Sequence, residues 1–314
     1  MVEFEIEIQD SASRALLEKE MAELIESAFG KDIPTIKIVV TSDFEASVRK
    51  LVPEESGEKY RAHHGYAIAY AKTIPQLENN QLHFVIIFDA RLFNDMSTRF
   101  VLARQAKIIH ELVHVRNGLL RFQSVGASFF TKPQSKLDLG RANAWGIWED
   151  YEAERTVADV LTRGVGQDAT IHFNETLGFA DDVIKDLQVF ESFMVESVRD
   201  FQEQQIDLTS LTRVVTERVV GMLLRLTYVY AVGEVSDEVR QKTSEIEGDT
   251  TYNKFFASGW RRILLFLREH YANRPEFHSD IIDKIAGVYD DILVNCGVDI
   301  EDAPNGFRVR LRRV

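Results

Sequence analysis

Two histidines and a glutamate stand together at His110-Glu111-Leu112-Val113-His114. On a helix, residues four apart lie one turn from each other on one face, so both imidazoles can reach a single cation. The glutamate directly after the first histidine then projects beside that cation, within reach of a water bound to it. Two ligands, a base and an open coordination position are the parts that zinc-assisted hydrolysis requires. With 8 histidines and 50 acidic residues in the chain, random placement would yield roughly 0.03 such matches, so composition alone does not account for the motif.

Tetrahedral zinc that keeps one position for water needs a third protein ligand. No histidine follows six residues after His114, because Leu120 stands there, and Asn117 occupies the place of a glycine, so the metzincin pattern is not met. The acidic cluster Trp148-Glu149-Asp150-Tyr151-Glu152-Ala153-Glu154-Arg155 is the evident donor. Asn143, Gly146, Ile147, Asp150, Ala153, Val157 and Leu161 form one mostly apolar stripe at helical spacing, with Asp150 in its middle. A carboxylate on an inward face needs a cation, and a metal supplies one. Glu149 and Glu152, expected on a more polar flank, are the alternatives. Glu154, one turn beyond Asp150, is placed to accept the second ring N–H of a ligating histidine.

The pair of motifs resembles the gluzincin group of zinc metallopeptidases, whose third ligand opens a Glu-x-x-Ala/Ser-Asp sequence on a following helix. Asp150-Tyr151-Glu152-Ala153-Glu154-Arg155 is similar to its Glu-Tyr-x-Ala-Asp-Arg version, with both acidic residues exchanged, over roughly residues 80–160. The resemblance implies zinc as cofactor, His110, His114 and Asp150 as ligands, Glu111 as general base, Glu154 as the orienting acid, and a peptide or protein substrate. It also implies a zincin-like front half, a small sheet plus the active-site helix.

The elements that must position these residues follow from periodicity. Phe4–Ile8, Ile36–Val40, Gly65–Ala71 and Leu82–Phe88 read as strands, the last nearly all apolar and able to serve as a sheet edge aligning a peptide. Ser11–Phe29 and Asp43–Leu51 read as helices. The motif helix is expected from about Thr98, capped by Ser97, to Asn117, with Gly118 as its stop. Residues 119–140 read as an excursion, and helix returns at about Ala142 to Leu161. Beyond Gly164 the pattern is almost entirely helical: Ala180–Gln204, Leu208–Val232, Asp237–Glu247, Tyr252–Tyr271 and His278–Cys296. The fold class is therefore α+β, divided into a metal-binding domain over 1–165 and a helical domain over 166–314.

Among weaker signals, His63 and His64 are expected to face solvent. Tyr66, Tyr70, His172, His270 and His278 are candidate oxyanion stabilisers among which the sequence does not choose. Gly164-Val165-Gly166 lacks the third glycine and preceding strand of a dinucleotide loop. A single Glu-x-x-His unit argues against a di-iron bundle.

A formal charge of −13 and a pI near 5.2 leave no cation surplus for phosphates and exclude a nucleic-acid partner. The basic tail Arg308 to Arg313 is expected to be a solvated strand or arm, with an anion-binding arm as the alternative. The apolar run Val219–Val232 is short and broken by Arg225, so no membrane association is expected. One cysteine, Cys296, and a start without a secretory signal fit a cytoplasmic protein. A second function class also fits the chain, a regulatory zinc-fold protein that binds partners through its helical half.

Overall fold

The computed structural model describes residues 1–52, 63–64, 67–94, 101–131, 133–164, 169–273, 277, 279–303 and 306–312. The fold is α+β, a small mixed sheet with its helices followed by a mostly helical remainder. Two compact units are present, one of residues 1–129 with 159–172 and one of residues 130–158 with 173–314.

The first unit is built on four strands, β1 (Val2–Ile6), β2 (Ile36–Thr41), β5 (Ala71–Glu78) and β6 (Gln81–Asp89), in the order β1-β2-β6-β5. The first three neighbours run parallel, and β5 runs antiparallel to β6. Two short strands, β3 (His63–His64) and β4 (Ala67–Ile68), pair separately. Helix α1 (Ser11–Phe29) and helix α3 (Val101–Val125) cover one face of the sheet, and α2 (Phe44–Leu51) covers the other. Leu17, Met21 and Ile25 of α1 and Ile108, Leu112 and Val115 of α3 bury against Ile36, Ile38, Val40, Phe84, Ile86 and Phe88. Phe44 and Val48 of α2 meet Ile74, Val85 and Ile87 on the opposite side. Each large aliphatic side chain so buried contributes about 1.5–3 kcal/mol. Covering on both faces explains why β6 reads as a continuous apolar run instead of an alternation.

That run is interior, which corrects the expectation that Leu82–Phe88 forms the edge. Among the described residues the edges are β1 and β5. The Asp89 N–H donates to the Tyr70 carbonyl at 2.8 Å, so Tyr70, Lys72 and Ile74 turn their backbone groups toward β6. Ala71, Thr73 and Pro75, the alternate set, turn theirs to the open side. Proline has no N–H to lose there, so the strand tolerates it.

Helix α3 runs seven residues past Gly118, because that glycine is a packing residue and not a stop. A methyl group there would lie 2.7 Å from Cε1 of the Phe84 ring, so only glycine lets the helix settle this closely on β6. The expected excursion therefore shrinks: a 3-10 turn at Gly126–Phe130 follows, and α4 begins at Lys136 and runs to Gly164. Ser97, the expected cap of α3, lies outside the described residues.

The second unit contains helices α5 (Ala169–Gln202, most of it), α6 (Leu208–Gly233), α7 (Asp237–Gly248), α8 (Thr250–Phe255), α9 (Ala257–Ala272) and α10 (Asp280–Asn295). Asp207, Ser236 and Asp249 cap α6, α7 and α8 by accepting from backbone N–H groups two or three residues on, each worth about 1 kcal/mol. The helix expected over Tyr252–Tyr271 is broken at Phe256. Phe255 and Phe256 are both buried, with ring centroids 5.4 and 4.9 Å from that of Phe190. Consecutive helical residues diverge by about 100°, so an uninterrupted helix could not aim both inward. Arg225, which interrupts the apolar run of α6, pairs with buried Asp186 at 2.7 Å, and Arg218 binds the other oxygen of that carboxylate. Strands β7 (Val298–Ala303) and β8 (Gly306–Leu311) form an antiparallel hairpin. Arg310 and Arg312 pair with Glu301 and Asp299 of β7 at 3.0 and 2.5 Å, so most of the tail's described cations are neutralised within the hairpin. Among the described residues no helix is long and apolar enough to cross a membrane.

Candidate metal centre

Helix α3 presents its polar triplet beside its sheet-facing stripe. Ile108 and Val115 lie three residues before and four after Glu111, so the glutamate shares the face that packs on the sheet. It is consequently only 5% exposed, and its carboxylate meets the edge strand. The Thr73 hydroxyl, on β5, donates to Glu111 Oε2 at 2.7 Å and lies 3.2 Å from the Glu111 main-chain carbonyl oxygen. Glu111 Oε1 has no hydrogen-bond partner among the described residues.

His110 and His114 turn to the adjoining face. Their Nε2 atoms are 3.0 Å apart, with ring centroids 4.7 Å apart and planes inclined by 67°. His110 is 8% exposed and His114 half-buried. Two imidazole nitrogens on one tetrahedral zinc, at about 2.0–2.1 Å each, stand about 3.3 Å apart. The rings therefore already stand close to the spacing that shared ligation requires.

Asp150 is half-buried on α4. Of the three candidate ligands, His110 and His114 belong to the first unit and Asp150 to the second. Two neutral imidazoles and one carboxylate suit zinc and leave a position for water or substrate. Glu154 is buried, 3% exposed, as an orienting group would be. Glu152 departs from its expected polar flank. It is 1% exposed, and its Oε1 lies 3.4 Å from Nδ1 of His270. The reason is that α4 is buried on nearly every side from Ala144 to Ala158, so a single-face phase argument underestimates its inward positions. Glu149 is half-buried.

The remaining candidates divide. His270 packs against Trp148 and Phe277, and its Nδ1 lies 3.3 Å from the Trp148 indole N–H nitrogen. His172 is buried, and Tyr70 is half-buried under the Arg91 guanidinium, 5.6 Å from the ring centre. The side chains of His63, His64, Tyr66 and His278 lie outside the described residues. Burial pushes the Cys296 thiol up to about 12, which makes it inert as a nucleophile at neutral pH. Thr73 is the site residue that sequence reasoning missed. Nothing in the sequence pointed to it, because its contact with Glu111 joins segments 38 residues apart.

Comparison of the chain with protein-family models, with curated proteins and with solved structures returned no match in any of the three.

Proposed function

We propose that the protein is a zinc-dependent hydrolase acting on peptide bonds of a peptide or protein substrate, with Glu111 as general base. The observation that carries this reading is the Glu111 carboxylate. One of its oxygens is tied to Thr73 and the other is open, one residue along from a histidine whose ring nitrogen faces that of His114. His110, His114 and Asp150 would hold the metal. When bound, zinc supplies Lewis acidity to the scissile carbonyl and to the attacking water. Glu111 Oε1 takes a proton from that water as its oxygen bonds to the carbonyl carbon. Glu111 then delivers the proton to the leaving nitrogen as the C–N bond breaks. The open edge of β5 favours a peptide over a small amide, because Ala71 and Thr73 offer backbone groups with which an extended chain can pair.

The same donor set also suits iron(II) in oxidative chemistry. Such a centre has no need of a second carboxylate held beside it, and Glu111 therefore favours hydrolysis. The chain's single cysteine suits a cytoplasmic setting, which belongs to the same proposal.

The test is metal analysis after chelator-free purification, followed by cleavage of a fluorogenic peptide library. About one equivalent of zinc is expected per chain. Glu111→Gln should keep the zinc and lose about 10²–10⁴ in rate. Iron in place of zinc, or a Glu111→Gln variant as active as wild type, would overturn the reading.

A further inference from the structure

We propose that Thr73 is the positioning residue of this centre, fixing Glu111 so that Oε2 is anchored and Oε1 is the oxygen that accepts the proton. The proposal rests on the hydrolase reading above and adds to it a residue on a different element. The Thr73 hydroxyl reaches two acceptors of the same residue, Oε2 at 2.7 Å and the main-chain oxygen at 3.2 Å. It carries one hydrogen, and the shorter contact to the charged acceptor takes it. The effect is a tether from the end of the Glu111 side chain to β5, which removes rotamer freedom that a glutamate otherwise keeps.

Thr73 is itself held rigidly. It is β-branched, so few χ1 rotamers are open to it, and it lies opposite Ile86 in the β5–β6 ladder. Valine has the same shape and would suit the strand equally well. The strand therefore does not need the hydroxyl, and the carboxylate is what uses it. Thr73 also turns its backbone groups to the open edge, where an extended substrate would pair. One residue thus sets both the line of the substrate and the orientation of the base.

Acetohydroxamate tests this without a known substrate, because it chelates zinc and yields its hydroxyl proton to a neighbouring base. The experiment measures its affinity for the zinc-loaded full chain in wild type, Thr73→Val, Thr73→Ser, Glu111→Gln and the Thr73→Val/Glu111→Gln double variant. Thr73→Val should weaken binding about tenfold at unchanged zinc content, the scale of one hydrogen bond to a charged group. Thr73→Ser should stay within about twofold of wild type, because it restores the donor. In the Glu111→Gln background, Thr73→Val should have no further effect.

Wild-type affinity in Thr73→Val, or the same loss in both backgrounds, would overturn the role of Thr73 and leave the hydrolase reading standing. A wild-type protein that binds neither zinc nor acetohydroxamate would overturn that reading, and the role of Thr73 with it. Should Thr73→Val fail to fold, Thr73→Ala replaces it in the same cycle.

Discussion

Two buried polar groups in this molecule are treated in opposite ways. In the helical unit, Asp186 is 3% exposed and both of its oxygens face guanidinium groups, those of Arg218 and Arg225. In the sheet unit, Glu111 is almost as buried, yet only one of its oxygens has a partner. Beside it, two imidazole nitrogens face each other at 3.0 Å. In the first arrangement the carboxylate is paired with two cations. The second carboxylate is held by one neutral hydroxyl. A carboxylate held between two cations is explained by that pairing, whereas one held by a single neutral hydroxyl beside two imidazoles is not.

The difference can be broken most sharply at Glu111. Its replacement by glutamine should lower turnover by about 10²–10⁴ while leaving thermal stability within about 0.5 kcal/mol of wild type. Peptide-cleavage rates and urea unfolding on one preparation would show both. Asp186→Ala should do the reverse. It strands two cationic side chains and should cost about 3–5 kcal/mol, read by urea denaturation, with zinc content per folded chain unchanged. If Asp186→Ala removed the zinc, the contrast between a structural and a functional polar group would fail.

Asp150→Ala should reduce zinc affinity by at least about 10–100-fold, measured by competition with a chromogenic chelator. Glu149→Ala and Glu152→Ala should change it far less. Glu152→Ala instead removes the carboxylate beside His270, so its effect should appear in stability. Zinc loss confined to Glu152→Ala would move the third ligand by two residues and leave His110, Glu111 and His114 in their roles.

A smaller effect is expected where helices approach most closely. At Gly259 a methyl group would lie 2.4 Å from Cγ1 of Ile292. Gly259→Ala should cost about 1–3 kcal/mol through overpacking, offset by about 1 kcal/mol of helix propensity. Equilibrium unfolding would show the net sign. Gly118→Ala meets the Phe84 ring at 2.7 Å and should add a second consequence, a loss of zinc affinity, because it shifts the helix that carries both histidines.

The gentlest probe is alkaline pH. Burial raises the Cys296 thiol from 9.0 to about 12, and burial likewise raises Tyr289 and Tyr230. A group whose folded pKa is raised contributes stability in full below its unfolded value, and that contribution fades as pH climbs toward the folded one. Stability should therefore decline from about pH 9 upward. Cys296 should resist iodoacetamide at pH 8 until the helical unit unfolds, and Cys296→Ala should flatten part of the alkaline slope.

The α+β class and the positions of most helices were legible along the chain, because amphipathic period and capping residues are local properties. The core of the metal motif was legible for the same reason. His110, Glu111 and His114 are separated by less than two turns, and helical geometry alone brings them to neighbouring faces. Asp150 was chosen as candidate ligand from the stripe on its helix, and burial around the whole of α4 shows that such a stripe ranks its acidic residues imperfectly. What local pattern did not carry was anything set by approach between distant segments. Pro75 gives no strand signal by itself, and only the strand order makes it a residue that an edge tolerates. Gly118 read as a helix stop until the Phe84 ring beneath it gave it a packing role. Thr73 carried no signal at all, since a threonine 38 residues from a glutamate becomes its partner only when sheet register and helix packing bring the two together. Spacing along one helix is written in the sequence. A contact between a helix and a strand edge is the sum of many packing terms, and only the tertiary structure resolves it.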